Sequence, residues 1–143
     1  MLFAYDGSPH AKAAIRQAGR ELANGRRAIV LTVWSPLANL PFATAAGLAA
    51  VGLDESFEQE ARKVAEEGAK LARSSGFDAE PRTERGEPVW QRIVDSAEEH
   101  DAGLLVIGSH GRTGIGLVLL GSIAAATARH TDRPVLIGHA RAG

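Results

Sequence analysis

Four runs in this chain are apolar at every position, or nearly so, instead of alternating: Met1 to Tyr5, Ala28 to Trp34, Leu104 to Ile107 and Pro134 to Gly138. A strand that shows one face to water alternates, and a strand without alternation must be covered on both faces. Parallel sheets between two helix layers meet that requirement. A fifth segment, Asp78 to Arg85, alternates weakly and carries Glu80, Pro81, Arg82 and Glu84. Charges and proline protect an edge from unwanted pairing, so this segment reads as an edge strand.

Helical signals fill the intervals. Ser8 reads as an N-cap and Pro9 as the first helical position. Ala11, Ala14, Ile15, Ala18 and Leu22 then recur at helical spacing, and Asn24-Gly25 stops the helix. Asp54 is expected to cap a long helix through Arg73, with Phe57, Ala61, Val64, Ala65, Leu71 and Ala72 on its apolar face. Glu58–Arg62 and Glu66–Lys70 are favourable pairs along it, and Gly76 ends it. Gly86-Glu87-Pro88 opens another helix, with Val89, Trp90, Ile93, Val94 and Ala97 apolar. The resulting β-α-β-α-β-α-β-α-β order predicts an α/β fold, a single open parallel five-stranded sheet with helices on both faces. Residues 1–143 are expected to form one domain.

Composition narrows the function classes. The net charge is −1, so no basic field points to nucleic acid. The absence of cysteine excludes disulfides, thiolate metal sites and cysteine nucleophiles. No signal pattern or run of membrane-spanning length is present, so a cytoplasmic protein without membrane contact is expected. The stretch Ser35 to Gly52 is uncharged, rich in Ala, Leu, Pro and Gly, and long enough to read as a lid or loop.

The chemistry concentrates in Gly108-Ser-His-Gly111-Arg112-Thr-Gly114-Ile-Gly116-Leu-Val-Leu-Leu-Gly121-Ser122, between the fourth strand and Ile123 to Arg129, a helix. Glycines let a ligand touch the main chain, and the helix start offers unpaired N–H groups that suit phosphate. The dinucleotide fingerprint fails: the first strand-turn is Asp6-Gly7-Ser8-Pro9, and Leu119 stands where the later loop would need its third glycine. Gly116 and Gly121 have P-loop separation, but Ser122 replaces the lysine that clamps the β- and γ-phosphates. Fast phosphoryl transfer is therefore unsupported.

The spacing Gly108-x-x-Gly111, nine residues, Gly121-Ser122 resembles the nucleotide-binding signature of the universal stress protein family, ATP-binding type. Ala4 to Ser8, Gly86-Glu87-Pro88 and Arg133 to Ile137 resemble its first strand-turn, third helix start and closing strand, so the resemblance covers nearly the whole chain. It implies a Rossmann-like strand order 3-2-1-4-5. It also implies an adenine nucleotide, ATP or AMP, across the carboxyl ends of the strands, where open α/β sheets bind ligands. By the same resemblance Asp6 lies near ribose, phosphates and a Mg or Mn ion carried by the nucleotide. Val33 marks the strand end that recognises adenine. Gly108, Gly111 and Arg112 lie near ribose and phosphates, and Gly121, Ser122 and Ile123 hold phosphate. A homodimer through Pro134 to Gly138, with an unknown protein partner, is also implied. The sequence departs from the family at Gly103, where an acidic residue is usual.

Plainer readings stand beside these. Asp6 is also a turn former, Ser122 also an N-cap, and Arg112 also a solvated loop charge. Gly114 and Gly116 read as loop flexibility. His110 has no carboxylate partner legible in sequence and reads as a loop histidine. His10, His100, His130 and His139 lack metal-ligand spacing and read as surface residues. Trp34 and Trp90 read as packing. The expected function is a nucleotide-dependent regulatory switch in stress response. A slow ATPase or nucleotide hydrolase, and a nucleotide-free dimeric interaction module, are the alternatives.

Overall fold

A computed structural model describes residues 1–35, 53–111 and 120–141. Strands β1 (Leu2–Ala4), β2 (Arg27–Trp34), β3 (Asp78–Arg85), β4 (Leu105–Gly108) and β5 (Val135–Gly138) alternate with helices α1 (Pro9–Glu21), α2 (Leu53–Ser74), α3 (Val89–Glu99) and α4 (Ser122–His130). The strands form one sheet in the order β3-β2-β1-β4-β5, all parallel. The charged strand Asp78–Arg85 is at one edge and β5 is at the other, as expected.

Register explains why the central strands are apolar on both faces. Phe3 lies level with Val30 and Val106, and all three point into a core shared with Ala14, Ile15 and Ala18 of α1 and Ala69 and Ala72 of α2. Leu2 lies level with Leu105, and these two meet Leu31, Ile93, Ala97 and Ala124 on the opposite face. Ala11, Ala14, Ile15 and Ala18 are the buried stripe of α1. The small size of the three alanines lets the helix approach the sheet closely. Phe3 and Phe77 meet edge to face at 5.1 Å, a favourable aromatic geometry.

Local details depart from expectation in instructive ways. Helix α1 ends at Glu21, and Gly25, with φ +80°, completes the turn that Asn24-Gly25 announces. Asp54 does not cap α2. The helix already includes Leu53, and Asp54 sits in the first turn, 3.0 Å from Arg85 of β3. Glu58–Arg62 forms at 2.8 Å, whereas Glu66 reaches Arg73 at 3.2 Å, seven residues on. Arg73 also donates to the Ala79 carbonyl, which anchors its guanidinium on that side. On α3, Arg92 bridges Glu84 at 2.5 Å and Glu99 at 2.6 Å, tying the helix to the edge strand. Trp90 stacks on His130 at 4.3 Å, and Trp34 carries the Arg85 guanidinium 5.6 Å from its ring centroid.

Candidate functional site at the carboxyl ends of the strands

The strand order reverses between β1 and β4: β1 connects through α1 to one side, and β4 through α4 to the other. The two connections leave the sheet in opposite directions, and the crevice between them is where open α/β sheets bind ligands. A cavity of about 450 Å³ lies there. Leu31, Val33, Val89, Ile93 and Ile107 form its apolar side. Asp6, His110, Gly111, Gly121 and Ser122 form its polar side. This division suits a ligand with a flat apolar part and a charged part.

The polar side is built by three local devices. Asp6 accepts the Ser8 N–H at 2.9 Å, closing the turn after β1. Ser8 caps α1 by accepting the Ala11 N–H at 3.2 Å, and Pro9 follows at the first helical position. The Gly121 N–H donates to the Ser109 carbonyl at 2.6 Å, joining the start of α4 to the end of β4. The N-cap of α4 is Gly121, without a side-chain cap bond, so Ser122 is the first helical residue and is not the cap. Its side chain therefore belongs to the cavity wall, beside Ile123, which is 40% exposed.

Asp6, Val33, Gly108, Gly111, Gly121, Ser122 and Ile123 all border this one cavity, although they come from four separate parts of the chain. Arg112, Gly114, Gly116 and most of the Ser35 to Gly52 stretch lie outside the described residues. Sequence reasoning missed two contributors. One is Tyr5, a residue bordering the cavity whose ring lies in the core against Gly68 of α2 and whose hydroxyl donates to Glu67 at 2.8 Å. Burial, then the Glu67 carboxylate, push this phenol above its ordinary value, so it stays protonated. Lys12 completes the link at 2.8 Å from Glu67.

The other is a histidine pair. His10 is half-buried, not a surface residue: its ring lies 5.0 Å from that of His110, with the fully buried Ser109 hydroxyl 3.0 Å from each Nδ1. The His10 Nδ1 also accepts the Ala140 N–H at 2.9 Å. No sequence spacing announces this cluster, because residues 10, 109 and 140 meet only through the sheet order.

Burial pushes the His10 imidazole below its ordinary value. His110 and His139 add to the effect, and Asp6 opposes it. Below about pH 6.5 the unfolded chain protonates this histidine while the folded protein resists. The stabilisation is therefore complete above about pH 6.5 and declines as pH falls through that value. His10→Asn, which keeps an acceptor for Ala140, is expected to flatten this decline. Urea midpoints between about pH 8 and about pH 5 measure it, and an unaltered slope would show that His10 does not contribute.

A parallel α/β sheet with a cavity of mixed polarity at its switch point is the arrangement in which open α/β domains carry their ligand sites. Residues 1–139 match the family model described as universal stress protein family. The chain belongs to that family. A universal stress protein of Thermus aquaticus, encoded beside a QAH/OAS sulfhydrylase gene, is 31% identical over 144 residues, covering 96% of each chain. The universal stress protein MJ0531 of Methanocaldococcus jannaschii is 31% identical over 85 residues, 59% of this chain, and that match spans about half of the relative, 49%.

Solved structures agree on the fold. The protein MJ0577 superposes with a TM-score of 0.82 at 23% identity, covering 99% of this chain and 96% of that one. A universal stress protein in complex with cAMP gives 0.63 at 28%, covering 98% and 95%. The Archaeoglobus fulgidus universal stress protein in complex with dAMP gives 0.61 at 25%, covering 96% and 94%. Among the described residues, no helix is long and apolar enough to cross a membrane.

Proposed function

We propose that this protein, folded as one domain over residues 1–143, binds an adenine nucleotide, ATP or AMP, and acts as a nucleotide-dependent regulatory module in the cytoplasm. The observation that carries the reading is the cavity itself. Its apolar side at Val33 and Ile107 suits adenine, and its polar side at Gly111, Gly121 and Ser122 suits phosphate. The start of α4 adds main-chain N–H groups and a partial positive charge. The complexes of related family proteins with cAMP and dAMP support the same ligand class.

Asp6 is the acidic side chain among the described residues on the cavity wall. One carboxylate fits a magnesium or manganese ion that arrives with nucleotide phosphates and keeps several waters. The edge strand β5 pairs with β4 on one side, and its Val135, Leu136 and Ile137 are only half-buried. An apolar edge of this kind suits pairing with a second copy.

Nucleotide-stripped protein is expected to bind ATP in the presence of magnesium, measured by calorimetry. Protein denatured as purified is expected to release an adenine nucleotide, seen by the ultraviolet absorbance of its base. Absence of binding at millimolar ATP would remove the reading.

A further inference from the structure

The chain leaves β5 across a row of α1 side chains. His10, Ala14 and Gln17 are spaced i, i+4, i+7 and so share one face of the helix. Gly138 crosses the middle of that row, where a Cβ would fall on the Ala14 backbone. Past it, the Gln17 amide donates to the His139 carbonyl at 2.9 Å and accepts the His139 N–H at 3.3 Å. The Ala140 N–H donates to the His10 Nδ1 at 2.9 Å. Residues 139–141 therefore form a strap on α1, and His139 and Arg141 are exposed.

The holds on this strap differ in kind. A backbone N–H only donates, so the bond from Ala140 exists only while the His10 Nδ1 carries no proton. An imidazolium carries hydrogen on both nitrogens, and two donors would then face each other. The buried Ser109 hydroxyl lies 3.0 Å from the same nitrogen and keeps an acceptor lone pair whichever way its own proton points. It can receive the new Nδ1–H, whereas Ala140 cannot. Protonation thus replaces a bond that holds the strap with one to Ser109. The Gln17 bonds that remain are exposed to water and contribute little on their own. Gly138 is held separately: its carbonyl accepts the Ser109 N–H at 2.8 Å, and it is in register with Gly108 of β4.

The titratable groups facing His10 are His110 after β4, His139 on the strap and Asp6 after β1. Burial, then His110 and His139, oppose the charge on His10, and Asp6 favours it.

We infer that His10 is a proton-operated latch: neutral, it pins residues 139–141 against α1, and protonated, it releases them while β5 stays in the sheet. The strap is closed above the His10 titration and opens as pH falls through it, below about pH 6.5. Acidification then changes the surface beside β5 without unfolding the domain. The latch goes beyond the nucleotide reading and does not depend on it.

Backbone and histidine-ring NMR of the full chain, from about pH 8 to about pH 5, tests this. As the His10 ring titrates, the Ala140 amide resonance is expected to shift with the same midpoint and its heteronuclear NOE to drop. Its protection against exchange, corrected for the intrinsic effect of pH, falls about tenfold. The Ser109 amide keeps its protection. His10→Asn, whose amide oxygen replaces the Nδ1 acceptor, is expected to keep the strap ordered throughout. His10→Phe, a ring without an acceptor, leaves it mobile at both ends of the range. His139→Gln removes the strap's own imidazole and leaves the pH course in place. A strap that stays ordered with His10 protonated, a midpoint unlike that of the His10 ring, or an unaltered pH course in His10→Asn would each overturn the latch. Joint loss of Ser109 and Ala140 protection would overturn it too, because acid would then be detaching β5 itself.

Discussion

Gly121→Val is expected to lower nucleotide affinity by about two orders of magnitude or more, while the far-ultraviolet circular dichroism stays that of the parent. The backbone at Gly121 has φ −65° and ψ 156°, which any residue adopts, so the effect is steric. A Cβ there would lie 3.0 Å from the Ser109 carbonyl oxygen and 3.3 Å from the His110 Cα. Branching at that carbon crowds the 2.6 Å bond from the Gly121 N–H to Ser109 and pushes the start of α4 away from β4. The N–H groups at the helix start then no longer converge on the proposed phosphate position. Each lost bond to a charged oxygen is worth about 1.5–3 kcal/mol, and two suffice for the expected change. Calorimetry with ATP and AMP measures it. Parental affinity in this variant would remove the β4–α4 junction from the binding site.

Gly108→Val is expected to act on stability instead, at about 3 kcal/mol or more. A Cβ at Gly108 would meet the Ala11 nitrogen at 2.6 Å and the His10 carbonyl carbon at 2.7 Å. Both are backbone atoms of α1, which the burial of Ala11, Ala14, Ile15 and Ala18 holds against the sheet. β4 cannot retreat either, because Ile107 is in register with Ala4 and Gly108 with Gly138. Relief therefore requires α1 to lift, exposing part of the Phe3 and Val106 core. For a chain of this size the cost lowers Tm by roughly 10 °C. Gly103→Ala is the control: a Cβ there meets nothing within 4 Å, and its Tm is expected to stay within about 2 °C of the parent. Scanning calorimetry of both variants decides, and equal melting for Gly108→Val would mean that β4 and α1 are not in close contact.

The two glycines also show where sequence reading works. Gly108 and Gly121 stand out by spacing, and both prove to be places where backbone approaches backbone. Spacing alone does not tell what each of the two packs against. A Cβ at Gly108 would meet the backbone of α1, and one at Gly121 the backbone just after β4. Ser122 illustrates the opposite limit. A hydroxyl at a helix start reads as a cap, yet Gly121 occupies the cap position and leaves Ser122 one residue further in.

By itself the sequence determined the layer architecture and one edge of the sheet. Uninterrupted apolar runs require cover on both faces, and the charges and Pro81 of Asp78–Arg85 require an edge. It also determined that the loop after β4 has no P-loop lysine, since a missing residue type is visible without coordinates. Tertiary structure decided which chemistry-bearing groups share a space. Residues 6, 33, 110 and 122 border one cavity only because β1 and β4 are neighbours whose connections part in opposite directions. His10, Ser109 and Ala140 are brought into hydrogen-bond contact by the same pairing, across 99 and 130 residues of chain. Local sequence records propensity and pattern within a few turns of chain. The hydrogen-bond partners of His10 are groups that only the closed sheet brings within about 3 Å.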